Sequence, residues 1–231
     1  GSAARAVGSL SMLAHVLLVL HIAVLGYWLG SELVINSTFR YVSYGSDSPF
    51  VERDRLMEHV MTVDQHVRSA LVLQFGLGFS IAALYGYVPG GTATAWTIGF
   101  VAVTWLIYVE ITHRLRHSAI GKSLAAFDRG SRYALMAVLV AIGLHLIGGS
   151  WNMPFWLRLK LGLFACVMAC GVGIRLALIS HFKTWAVMAR EGPNDQTNAT
   201  IRKTYVQATT VLVFLWVFIT ALVIVSVWKP P

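Results

Sequence analysis

The stretch that most constrains this chain is 15–32, His15-Val-Leu-Leu-Val-Leu-His21-Ile-Ala-Val-Leu-Gly-Tyr-Trp28-Leu-Gly-Ser-Glu32. It is apolar and long enough to lie in a bilayer, yet it carries two imidazoles. A polar group in hydrocarbon costs free energy unless something binds it. Two solutions exist: a hydrogen bond to a neighbouring helix, or ligation of a metal or haem iron, for which neutral imidazole is a common protein ligand. His15 and His21 lie six positions apart, about 120° around a helix, so they do not share a face. His21 and Trp28 are seven apart and share a face, so a flat ring ligated by His21 is expected to lie against Trp28.

The remaining sequence extends the membrane reading. Of its residues 57% are hydrophobic and only 12% charged, against roughly 25% charged in soluble domains. A membrane-spanning helix needs about 20 apolar residues. Six segments qualify: 10–30, 67–88, 93–111, 132–149, 154–181 and 205–228. Pro89-Gly90-Gly91, Gly148-Gly149-Ser150, Pro154 and Lys229-Pro230-Pro231 mark their edges. The expected fold is an all-α membrane protein, a six-transmembrane-helix bundle forming one integral domain over 1–231. The 31–66 connection is too long for a plain loop. Ser46-Asp47-Ser48-Pro49 is a helix start, and the mixed apolar and charged residues after it predict a cytoplasmic amphipathic helix running into the second span. Arg5, Arg158, Lys160 and Lys229 fall on the side of the N-terminus; the other fourteen of the 18 Lys and Arg fall opposite. That bias places both termini on the non-cytoplasmic side. The net charge of +8 therefore belongs to cytoplasmic loops, and no nucleic-acid partner is expected.

Depth along the helices sorts the polar residues, at 1.5 Å of rise per residue. His15 falls in the outer third of the first span, with His21 about 9 Å deeper. His145, thirteen residues beyond Arg132, lies about 20 Å from the inner interface, and Lys160 lies just inside the outer end of the fifth span. His59, His66, His113, His117 and His181 gather by depth at the cytoplasmic face. Glu110-x-x-His113-x-x-x-His117 lines one helical stripe, and Glu-x-x-His is a spacing used by carboxylate-bridged di-iron sites. With His66 and His59 these residues form a candidate non-haem metal group. The competing reading is a set of solvated interfacial histidines beside Arg114 and Arg116. Lys160 either snorkels to the headgroups or faces a carboxylate or cofactor propionate, and the same choice applies to Arg175. Cys166 and Cys170, at i,i+4, are small packing residues or a soft-metal pair; a disulfide between them is geometrically poor.

His21-x6-Trp28-x-Gly30 resembles the first helix of a group of bacterial haem-associated membrane proteins: the HemJ-type protoporphyrinogen oxidases, the copper-resistance D family and the membrane domain of some urate oxidases. Trp156-Leu-x-x-Lys160-Leu is similar to the lysine-bearing segment of those oxidases. The resemblance covers roughly half of the chain. It implies haem b ligated by His21, a catalytic or propionate-binding Lys160, a multi-pass place in the bacterial inner membrane, and redox chemistry. This chain departs from the oxidases in its six spans and in Cys170-Gly171, where they carry a histidine.

The leading expectation is thus a b-type haem protein moving electrons within the bilayer. His145 or His15 would supply a second ligand to His21, and His66 with His113 or His117 would hold a second haem. A quinone or redox protein is the expected partner, with a homo-oligomer as a further arrangement. A non-haem iron or copper enzyme, a copper transport or accessory protein, and a subunit without a site of its own are the alternatives. No dinucleotide fingerprint, phosphate loop or nucleophile triad is present in the sequence.

Overall fold

A computed structural model of the chain describes residues 2–116 and 118–231, with the side chains at 2–7 and 9 left aside. Its regular structure among the described residues is entirely helical: α1 (Ser2–Tyr44), α2 (Phe50–Leu84), α3 (Gly91–Arg114), α4 (Ala119–Gly143), α5 (Phe155–Glu191) and α6 (Asp195–Trp228). Five of these, all but α4, are long and apolar enough to cross a membrane. Large apolar side chains such as Val19, Ile22, Phe100, Val103, Phe214 and Val217 stand exposed along them. An apolar surface of that extent is what lipid covers. The chain is an all-α membrane protein.

The helix ends follow local chemistry. α1 does not stop near residue 30; nothing between Glu32 and Tyr44 breaks it, and Gly45 closes it by donating to Tyr41 O at 2.8 Å. Its 43 residues extend about 65 Å, roughly twice the hydrocarbon thickness of a bilayer. The expected helix start at Ser46–Pro49 is found, with Glu52 and Arg53 N–H groups donating to Pro49 O. α3 opens after Gly90, whose φ of 97° places it in the left-handed region that favours glycine. α6 opens on a reciprocal cap: Asn194 Oδ1 accepts from Thr197 N, and Thr197 Oγ1 accepts from Asn194 N, both at 2.9 Å.

The expected fourth span differs most. α4 ends at Gly143, and residues 144–149 turn instead of continuing. Leu146 N donates to Ala141 O at 2.8 Å, and His145 takes a positive φ of 65°. The apolar part of α4, about 133–143, extends only about 16 Å, half of a hydrocarbon core.

The helices cluster into two compact units. The first comprises Gly1–Glu32, Asp64–Gly130 and Gly149–Pro154; the second comprises Leu33–Val63, Ser131–Gly148 and Phe155–Pro231. In the first unit α2 and α3 approach closely: a Cβ on Gly76 would stand 2.6 Å from that of Ala102. Small residues at a membrane helix contact allow this approach. Ser80 Oγ donates to Ala95 O at 3.2 Å and Gln65 Nε2 to Val109 O at 3.2 Å, joining the same two helices. In the second unit α5 and α6 lie along each other over a core that includes Phe39, Val42, Met57, Trp185, Ile201 and Tyr205.

Candidate functional site

His21 is half-buried at the contact of α1 with α2. A Cβ built on Gly78 would lie 3.3 Å from His21 Cε1, so the absence of a side chain at 78 is what seats the imidazole against α2. One turn earlier Gln74 Nε2 donates to His21 O at 3.0 Å. Side chain and peptide of His21 are therefore both held by α2. Toward the N-terminal end of α1 lies an apolar cavity of about 220 Å³. Leu13 and Leu17 line it from α1, Leu73 and Leu77 from α2, and Trp96 and Gly99 from α3. His21 is the next position after Leu17 at i,i+4 spacing, on the edge of this lining.

The other residues of the first unit are engaged as follows. His15 is exposed, and its Nδ1 donates to Ser11 O at 2.6 Å on its own helix. The carbonyl only accepts, so the neutral ring leaves Nε2 as a lone pair, the tautomer that metal-ligating histidines adopt. Trp28 is 4% exposed, and its Nε1 donates to Glu32 Oε1 at 3.3 Å. Its ring is packed among protein side chains. His66 Nδ1 lies 2.5 Å from Tyr27 Oη, with the rings edge to face. Glu110 Oε1 accepts from Arg114 Nε at 2.6 Å, and His113 Nε2 accepts from Arg116 Nη1 at 2.9 Å.

Among the described residues no three His, Cys, Asp or Glu side chains come close enough to share an ion. Arginines three and four positions away engage Glu110 Oε1 and His113 Nε2, while His117 lies outside the described residues. His59, His145 and Lys160 belong to the second unit. His59 is exposed on α2, and His145 is exposed in the turn after α4 rather than on a membrane helix. Lys160 is half-buried in the first turns of α5, four positions beyond Trp156, whose ring faces the Lys229 ammonium at 5.5 Å. Cys166 and Cys170 are free thiols.

No protein-family model, curated protein or solved structure matches this chain.

The second unit holds a buried polar cluster that the sequence did not announce. Arg53 is completely buried. Its Nε donates to Val42 O at 3.1 Å and its Nη1 to Asn198 Oδ1 at 3.0 Å. Its guanidinium lies 5.5 Å from the centre of the Trp185 ring. Trp185 Nε1 donates to Asp54 Oδ1 at 2.8 Å. His181, also completely buried, stacks on Trp185 at 5.8 Å and 12°. Thr204 Oγ1 gives its proton to a backbone carbonyl of its own helix, so at 2.9 Å it accepts from His181 Nδ1. Arg53 sits inside a charged run that reads as a solvated face, but Phe50, Arg53, Met57 and Val60 repeat at i, i+3, i+7 and i+10. That stripe is the signal that could have placed Arg53 in the core.

Proposed function

We propose that this chain is a b-type haem-binding, multi-pass membrane protein that takes part in electron transfer within the bilayer, with His21 as iron ligand. The observation that carries the reading is the seating of His21, an imidazole mid-way along an apolar helix whose ring rests in the gap left by Gly78 and whose carbonyl is gripped by Gln74. Fixing a ligand's backbone and ring from a second helix is what a metal site requires of its surroundings. The adjoining apolar cavity gives the fit its measure. At about 220 Å³ it is smaller than the roughly 300–1,000 Å³ of ordinary ligand sites, so a porphyrin fits there only with part of its area toward lipid. The resemblance of His21-x6-Trp28-x-Gly30 to haem-associated membrane helices points the same way.

In this reading α2 holds the imidazole in place, Leu13, Leu17, Leu73 and Leu77 exclude water from it, and Trp28 with Glu32 fixes the next two turns of α1. Bound haem would supply one-electron chemistry at a potential set by ligand type and burial. The proposed topology keeps six membrane segments, α4 with residues 144–149 forming the short one, and both termini on the non-cytoplasmic side. A bacterial cytoplasmic membrane and a quinone or redox-protein partner belong to the same proposal. The test is the absorbance of the purified protein with a pyridine haemochrome assay. The expected result is a Soret band that is lost in His21→Ala and retained in His15→Ala. A colourless preparation from haem-replete cells, or an unchanged spectrum in His21→Ala, overturns it.

A further inference from the structure

The end of the second unit that carries Arg53 has positive charge without a negative partner. Arg53 donates only to neutral oxygens, Val42 O and Asn198 Oδ1, and its buried Nη2 has no hydrogen-bond partner among the described residues. Arg202 likewise donates to a hydroxyl, Ser46 Oγ, at 2.9 Å and lies 5.7 Å from the centre of the Tyr44 ring. It stands close enough to act electrostatically on Arg53. The nearby acid, Asp54, gives its Oδ1 to Trp185, and neither arginine forms an ion pair among the described residues. His181 Nε2 is a second buried atom without a partner, on the ring that stacks on Trp185. A buried guanidinium with no counter-charge is costly, and two neighbouring guanidinium groups add to the cost. The most economical way to remove it is a bound anion.

We infer that Arg53, His181 and Arg202 form an oxyanion site of the phosphate class at this end of the second unit. The occupant is a phosphoryl group, either of a membrane lipid headgroup or of a free phosphate. Arginine suits such a group because its planar fork of donors matches the oxygens. An oxygen accepts from Arg53 Nη2. His181 Nε2 receives the anion's O–H or, protonated, donates to another oxygen. Neither atom reaches solvent as the side chains stand, so admission is past the exposed Arg202, whose guanidinium caps Tyr44. From there ring contacts run inward from Tyr44 through Tyr205 and Phe39 to His181. The starts of α2 and α6 carry this site, which the basic bias of the loops places at the cytoplasmic leaflet.

Thermal unfolding of the purified full chain tests the site in two arms. In detergent, inorganic phosphate is compared with chloride at matched ionic strength. In vesicles, phosphatidylglycerol is compared with a phosphorus-free galactolipid. At a tenfold excess over Kd the bound form should melt about 3–6 °C higher. Arg53→Gln should abolish the shift, Arg53→Lys should retain part of it, and Lys203→Gln, an exposed neighbour of Arg202, should leave it whole. A shift with inorganic phosphate assigns a soluble anion, and a shift with phosphatidylglycerol alone assigns a lipid headgroup. If Arg53→Gln does not fold, the exposed Arg202→Gln carries the comparison and should reduce the shift. No shift in either arm, or an equal shift in the arginine variants, overturns the site.

Discussion

Replacing Gly76 by alanine puts a number on the close approach of α2 and α3 in the first unit. The added methyl would stand 2.6 Å from Ala102 Cβ, whereas carbon atoms settle at about 3.5–4.0 Å. α2 and α3 must part by roughly 1 Å to admit it. Overpacking of this kind costs about 1–3 kcal/mol. Parting the helices also stretches the Ser80–Ala95 bond, already 3.2 Å, and an interhelical bond in a membrane protein averages about 0.6 kcal/mol. Against this, alanine gains about 1 kcal/mol over glycine in a helix. The balance is a loss of about 1–2 kcal/mol, or a melting point lower by roughly 2–8 °C for a chain of this size. Circular dichroism on heating in mild detergent reads it. The exchange Gly76→Ala with Ala102→Gly moves the methyl across the contact and should return the melting point close to that of the parent. Gly130→Ala, where a Cβ meets nothing within 4 Å, should be neutral or stabilising by up to about 1 kcal/mol. A rise in melting point for Gly76→Ala alone, matching Gly130→Ala, would refute the close approach of α2 and α3.

Further outcomes follow from other contacts. Asn194→Ala removes the oxygen that accepts from Thr197 N, while its own N–H still donates to Thr197 Oγ1, and should cost about 1 kcal/mol by thermal unfolding. Trp185→Phe leaves Asp54 without its indole donor and should cost about 1–3 kcal/mol; Asp54→Asn, which keeps an accepting oxygen, should cost less in the same assay. Gln74→Leu releases the His21 carbonyl and should lower the haem-to-protein ratio measured by pyridine haemochrome, while costing no more than about 1.7 kcal/mol in stability.

The membrane character was legible because it rests on run length and composition, which need no knowledge of neighbours. The helix start at Ser46–Pro49 was legible for the same reason, since a proline near the first turn acts locally. The continuation of α1 to Tyr44 was not. Asn36, Ser37, Thr38 and Arg40 read as a polar connection, yet Asn36 Oδ1 accepts from Thr209 Oγ1 at 3.2 Å, a contact 173 positions away that no local pattern announces. The end of α4 was misplaced because Leu144, Leu146 and Ile147 are apolar but sit in turns, where composition does not report backbone direction. At the candidate site, the sequence picked out His21 as a polar residue in an apolar helix. The gap at Gly78 and the grip of Gln74 are properties of α2 and became visible only with the fold. For Glu110 and His113 the sequence offered both a metal stripe and an interfacial set beside Arg114 and Arg116, and the contacts of Glu110 Oε1 and His113 Nε2 with those arginines appear only in the fold.

Three side chains of α2, Gln65, Gln74 and Ser80, tie it to its neighbours in the first unit, and all three end on main-chain oxygens, of Val109, His21 and Ala95. A carbonyl is present whatever residue occupies the position. Replacing the side chain at 21, 95 or 109 therefore leaves these bonds intact, while a single change at 65, 74 or 80 deletes one outright. Tolerance of these bonds to mutation should consequently be lopsided, with α3 free to drift at 95 and 109 and α2 held to its donors.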